Sequence, residues 1–258
     1  MKIAVSGKGG VGKSTVAAAI ALTLAQRGRR VLALDADPDA NLAAALGIPS
    51  ATAVTPISAE IALIEERTGA KVNEYGKVFR LNPEVSDLAG KLAVEHEGVG
   101  LLVLGAVRKG GGGCACPENT FIKALVTDLV LYKGETLVMD MEAGIEHLGR
   151  ATATGVDVMV VVVEPGQRAL DCAHAVIRMS QEIGIDNFVL VANKVAGEED
   201  RRYVAGAFPD GEVSAFLPYC EGIRAADRDG HSALSGMGPS ERAVIGSVID
   251  QIWKSGNA

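Results

Sequence analysis

The octapeptide Gly7-Lys8-Gly9-Gly10-Val11-Gly12-Lys13-Ser14 constrains this chain more than any other stretch. It follows a short apolar run, Lys2–Ser6, and precedes an Ala/Leu-rich stretch, 14–27, that ends at Gly28, a natural helix stop. The pattern G-x-x-x-x-G-K-[ST] between a strand and a helix requires a turn whose backbone N–H groups converge on one point, and glycine permits such a turn. The converging groups and the helix N-terminus together form an anion site suited to phosphate. A strand, turn and helix in this order select an α/β fold. The expected nucleotide contacts are Gly9, Gly10, Val11, Gly12, Lys13, Ser14 and Thr15, with Lys13 reaching the terminal phosphates and Ser14 ligating Mg²⁺.

The rest of the chain repeats the alternation of short apolar runs and longer helical patterns, the signature of parallel strands joined by helices. Strands are expected at Val31–Asp35, 101–107, Thr136–Asp140, Val158–Val163, 188–192 and 212–217. Helices are expected at 41–46 (stopped by Gly47), 58–67, 117–132 and 240–254. Residues 49–98 read as a peripheral region in which 78–81 looks like a strand. The expectation is a single domain over residues 1–258, with a mostly parallel central sheet and helices on both faces.

Composition narrows the partners. The chain is 48% hydrophobic and 22% charged, with a net charge of −7. That balance fits a folded domain and argues against binding nucleic acid, which relies on clustered Lys and Arg. No apolar run approaches the roughly 18–20 residues of a membrane span. The opening Met1-Lys2-Ile3-Ala4-Val5 lacks the layout of a signal peptide, so a cytoplasmic location with reduced thiols is expected. The 240–254 stripe has balanced charges (Glu241, Arg242, Asp250, Lys254), which favours docking on the sheet over lying on a membrane.

"KGGVGKST" resembles the deviant phosphate loop of the Min/Par and nitrogenase-iron-protein superfamily of P-loop NTPases. The resemblance implies that Lys8 crosses a dimer interface to the partner's nucleotide, so that ATP joins two subunits. Asp35, Asp37 and Asp39 cluster in "ALDADPDANL", where α/β sheets collect ligands. The resemblance makes this segment switch I, with Asp37 orienting the attacking water and supporting Mg²⁺. "LVMDMEAG" resembles switch II, with Asp140 on the Mg²⁺ side and Gly144 four residues on. Lys8, Lys13, Asp37 and Asp140 are thus the expected catalytic set. "VANKVAG" resembles the base-reading segment of P-loop proteins. Ala196 stands where guanine-specific relatives carry an Asp, so adenine is favoured, with Asn193 toward its amine and Lys194 and Pro218 as further contacts.

A second site begins at Cys114-Ala115-Cys116. In an extended segment both thiols point the same way. Cys116 directly precedes Pro117 at a helix start, whose field favours thiolate, and Arg108 and Lys109 add positive potential. Two thiolates are too few for a closed metal site, but a two-fold dimer supplies four. Four thiolates suit tetrahedral Zn²⁺ or square-planar Ni²⁺, and the residues do not choose between them. The bland alternative is an unreactive or redox pair. Cys172 and Cys220 read as structural, and His147 as a switch or interface residue.

"DADPDANL", "GGGGCACPEN", "DMEAGIEHLGR", "VVVEPG" and "ANKV", in this order, are similar to the ATPases that mature carbon monoxide dehydrogenase by inserting nickel. That resemblance spans nearly the whole chain. It implies a homodimeric, Mg²⁺-dependent enzyme hydrolysing ATP to ADP, with Ni²⁺ or Zn²⁺ between the subunits and carbon monoxide dehydrogenase as client. Three alternatives compete with it. They are a paralogue serving acetyl-CoA synthase, an iron–sulfur cluster carrier, and a positioning ATPase acting on DNA or membrane.

Overall fold

The computed structural model describes residues 1–71, 78–106, 117–131, 135–142, 155–208 and 213–256. The first strand, β1 (Lys2–Ser6), is buried along its whole length and lies inside the sheet. The others are β2 (Val31–Asp35), β3 (Val94–His96), β4 (Val99–Val103), β5 (Thr136–Asp140), β6 (Val158–Val163), β7 (Phe188–Val195) and β8 (Val213–Pro218). Among the described residues they form one eight-stranded sheet in the order β3-β4-β2-β5-β1-β6-β7-β8. Every neighbouring pair is parallel except β3 with β4. The central strands are continuous apolar runs because both faces of such a sheet are covered. All six residues of β6, Val-Met-Val-Val-Val-Val, are inaccessible to solvent.

Among the described residues the α-helices are α1 (Lys13–Gln26), α2 (Leu42–Ala45), α3 (Ile61–Thr68), α4 (Leu88–Leu92), α5 (Pro117–Leu131), α6 (Gln167–Glu182), α7 (Glu198–Ala207), α8 (Glu221–Arg228) and α9 (Pro239–Ser255). In α1 every residue from Val16 to Leu22 is fully buried. The helix packs on β1, β2 and β5 and also touches α2 and α9, so it is enclosed on several sides. Its alanines keep it thin enough for that. The C-terminal helix α9 docks on β7, β8 and α1 through Ile245, Val248, Ile249 and Ile252, as its stripe predicts. No helix among the described residues is long and apolar enough to cross a membrane.

Residues 49–98 depart from expectation in two ways. The segment 78–81 is not a strand. Val78 is 96% exposed and Leu81 67%, so β-branched propensity found no neighbouring strand to pair with. A strand does form further on, at β3, where three residues pair antiparallel with β4. The region also feeds the core: Ile57, Ile64, Val85 and Leu88 are each at most 5% exposed and belong to the main cluster.

The register aligns the carboxyl ends of the strands. Asp35 at the end of β2 pairs with Asp140 at the end of β5, and Val5 of β1 pairs with the same Asp140. The loop after β1 therefore emerges beside two aspartates.

Phe121, on α5, is among the largest fully buried side chains, and α5 packs against α3. Phe121→Ala removes that ring and leaves a cavity, with an expected loss of about 3–5 kcal/mol in unfolding free energy. The denaturant midpoint checks this. A loss under about 1 kcal/mol, the level of a surface substitution, would mean that α5 is not anchored to the core as described.

Candidate nucleotide-binding site

The loop joining β1 to α1 adopts the conformation its glycines allow. Gly7, Gly10 and Gly12 have φ of 151°, 85° and 94°. A Cβ at Gly7 would strike the Val162 carbonyl oxygen of β6, and one at Gly12 would strike the Asn193 amide. Turning the N–H groups inward forces the carbonyls outward, and each needs a partner. The Lys8 carbonyl accepts the Val11 amide at 3.3 Å, and the Gly12 carbonyl accepts the Val16 amide at 3.0 Å. Two more are served from the end of β7. Asn193 Nδ2 donates to the Val11 carbonyl at 2.8 Å, and Lys194 Nζ donates to the Gly10 carbonyl.

Three aspartates surround the loop, each in a different environment. Asp35 has no exposed surface; its Oδ2 accepts the Leu42 amide at 2.9 Å and its Oδ1 the Asp37 amide at 3.2 Å. It thus anchors both ends of the turn that leads into α2. Burial pushes its carboxyl up to about 6 from the ordinary 3.8, although those two amides favour the ionised form. Asp37 is more open. Its Oδ2 lies 3.8 Å from Lys13 Nζ, and its Oδ1 accepts the Asp39 amide at 3.0 Å.

Asp140 is the most strained electrostatically. It has no exposed surface, and neither carboxylate oxygen has a hydrogen-bond partner. Burial pushes its carboxyl up to about 7, and the nearby charges of Asp35 and Asp37 push the same way. The Ser14 hydroxyl is near enough to favour the ionised form, and Lys13 does so too, but neither outweighs burial. A buried carboxylate without a partner, beside a hydroxyl and further carboxylates, fits a hard divalent cation such as Mg²⁺.

Two cavities adjoin along this row. One, of about 270 Å³, is lined by the loop with Asp37, Asp39 and Asn41. The other, of about 340 Å³, is lined by Asn193, Lys194, Pro218, Tyr219, Cys220 and Ile223 among others. They share Gly12, Thr15, Ala44, Ala45 and Asp227. A polar hollow at the phosphate loop joined to a more apolar one suits a phosphate chain and a base. Two larger hollows, of about 490 and 720 Å³, contain no residue of the loop.

A profile of the CobQ/CobB/MinD/ParA nucleotide-binding domain matches residues 2–233. The chain belongs to that family. It is an ATPase, as the family's members are. It is 42% identical over 258 residues to the carbon monoxide dehydrogenase accessory protein CooC of Rhodospirillum rubrum, covering 98% of this chain and 97% of that one. It is 38% identical over 226 residues to an ATP-binding protein of Methanocaldococcus jannaschii, covering 86% and 87%. The MinC:MinD cell division complex of Aquifex aeolicus superposes with a TM-score of 0.69 at 20% identity, covering 98% and 95%. The Mg-ADP complex of the septum site-determining protein MinD from Pyrococcus horikoshii gives 0.64 at 20%, covering 97% and 95%. At that identity these two likenesses show the fold alone.

Within this family fold, Lys13, Ser14, Asp37 and Asp140 lie together at the carboxyl end of the sheet. Lys8 stays at the solvent-facing tip, with its Nζ 3.4 Å from the Gly9 carbonyl. Asn193, expected to read the base, has its amide committed to Val11, which leaves Oδ1 as its acceptor. Cys220, expected to be buried and structural, is half-buried and lines the second cavity; Cys172 is half-buried on α6. Cys114, Cys116, Arg108, Lys109, Gly144 and His147 lie outside the described residues. Sequence reasoning passed over Tyr219 and Asp227, which line the cavities, and treated Asp35 only as one of three carboxylates. Its position as the last strand residue, two before the chosen Asp37, was the available signal.

The two raised carboxyls set a pH dependence. An acid whose pKa rises on folding holds its proton more tightly when folded, so its stability contribution is complete below the unfolded value and lost as pH rises through the folded one. For Asp140 that window runs from 3.8 to about 7, and for Asp35 from 3.8 to about 6. In chelator, without nucleotide, the melting temperature is expected to fall across this window. Asp140→Asn should flatten the profile and raise the melting temperature near neutral pH. An unchanged slope in that variant would show that Asp140 is not buried without a counter-charge.

Proposed function

We propose that this chain is an ATP-driven metallochaperone that supports nickel insertion into carbon monoxide dehydrogenase. The observation that carries the reading is its 42% identity, across 98% of its length, to a carbon monoxide dehydrogenase accessory protein. The nucleotide site supports the ATPase half. The loop amides of residues 9–15 would hold the phosphates, and Lys13, 93% buried beside Asp37, would exchange that carboxylate for the terminal phosphates. Ser14, Asp37 and Asp140 would hold Mg²⁺, which when bound neutralises charge on the phosphates. The buried Asp140 oxygens without partners support that assignment.

Asp37, freed from Lys13, would then orient the attacking water. The adenine would occupy the second cavity between Asn193, Lys194 and Pro218, with Asn193 Oδ1 accepting from its exocyclic amine. Lys8, at the loop tip, is the group that would reach a partner's nucleotide. ATP would then join two copies, and Cys114 and Cys116 of each would close a four-thiolate site for Ni²⁺ or Zn²⁺, the cargo. α5, which begins at Pro117, the next residue in the chain after Cys116, is anchored in the core through Phe121.

Lys13→Ala is expected to abolish nucleotide binding, because it removes the buried ammonium that would meet the terminal phosphates. An anaerobic Ni²⁺ titration of the reduced protein, with mass followed with and without ATP, tests the metal half. One ion per dimer that is lost in Cys114→Ala/Cys116→Ala is the expected result. Nickel bound at the same ratio by the double variant would sink the thiol reading and leave the ATPase reading standing.

A further inference from the structure

Lys194 is the last link holding the phosphate loop, and its own position is unusual. It is one of few non-glycine residues among those described with positive φ, at 58°. A β-carbon in that region costs about 1 kcal/mol or more, so the surroundings must hold it there. Its Nζ donates to the Gly10 carbonyl and lies 3.1 Å from Glu164 Oε2. Glu164 immediately follows β6, the strand beside β1, in the "VVVEPG" segment that no role above explains.

We propose that Glu164 is a positioning residue for nucleotide binding, acting through Lys194 to fix the Gly10 carbonyl and thereby the tip of the phosphate loop. An ammonium has three donors and a flexible stem. Bound to one carbonyl alone it would exchange that contact for water. The carboxylate gives it a second fixed partner, attached to a buried strand. Gly10 itself has φ of 85° and open space around its Cβ position, so packing does not fix its orientation. The bond from Lys194 does. The inference rests on the nucleotide occupying this loop, as proposed above.

The charge of Glu164 makes the proposal separable from simpler readings. Lys194 is 41% exposed and Glu164 31%, so the pair is worth little to stability. A carboxylate near the phosphates, if it acted only through its field, would weaken ATP binding. Removing it would then tighten binding. Positioning predicts the opposite sign.

The test measures KM for ATP, kcat and the melting temperature for wild type, Glu164→Ala, Glu164→Gln, Lys194→Met and Glu164→Ala/Lys194→Met. Glu164→Ala is expected to raise KM by about twofold to fivefold, the range of a partly exposed ion pair, with a smaller change in kcat and no change in melting temperature. Glu164→Gln, which can still accept from Lys194, should recover part of the loss. In the Lys194→Met background Glu164→Ala should add nothing. A lowered KM in both Glu164 variants would overturn the proposal in favour of a field effect. Additive losses in the double variant would overturn it by showing that Glu164 does not act through Lys194. Failure of the wild type to bind ATP would instead overturn the nucleotide reading beneath it.

Discussion

Everything in this molecule depends on making the backbone N–H groups of one loop face the same point. Six residues between β1 and α1 cannot do this without turning their carbonyls outward, and outward carbonyls need partners. The structure supplies them from a neighbouring strand end. Asn193 and Lys194, at the end of β7, hold the Val11 and Gly10 carbonyls. Placing β6 between β1 and β7 brings those groups within reach, and two parallel connections are needed to build that order. The sheet is thus the frame of an anion site rather than a container for it.

The same strand ends gather negative charge. Asp35 and Asp140 are in register and fully buried, and Asp37 lies beside the buried ammonium of Lys13. Burying carboxylates costs free energy unless a cation or donors compensate. Asp35 is compensated by two amides and Asp140 is not. The two aspartates therefore differ in kind: one shapes the turn into α2, while the other holds unmet demand for positive charge. That difference suits a site that stays incomplete until nucleotide and cation arrive together. The cost is stability, borne by an extensive core of which β6 and α1 are the most buried parts.

The proposed metal half depends on this frame indirectly. α5 carries Phe121 into the core and begins one residue after Cys116. α5 and the phosphate loop thus belong to one packed core. In the proposed dimer, a change at the phosphate loop can move two thiol pairs relative to each other without deforming either subunit, the rigid-body mode of switching.

Much of this was legible in the sequence. Lys2–Ser6, Val31–Asp35, Thr136–Asp140 and Val158–Val163 were readable to the residue because buried parallel strands are uninterrupted apolar runs. The octapeptide determined the fold class and the placing of Lys13 and Ser14, since only a strand-turn-helix accommodates that glycine spacing. The segment 78–81 was misread because four residues of strand propensity do not reveal whether an edge is available, and β3 was missed because three residues carry no periodicity. Tertiary structure alone decided which carboxylate lacks a partner, that Asn193 is committed to the loop, and that Glu164 stands behind Lys194. Each of these follows from which strand ends lie side by side. Strand order is set by long-range packing, and local sequence does not encode it.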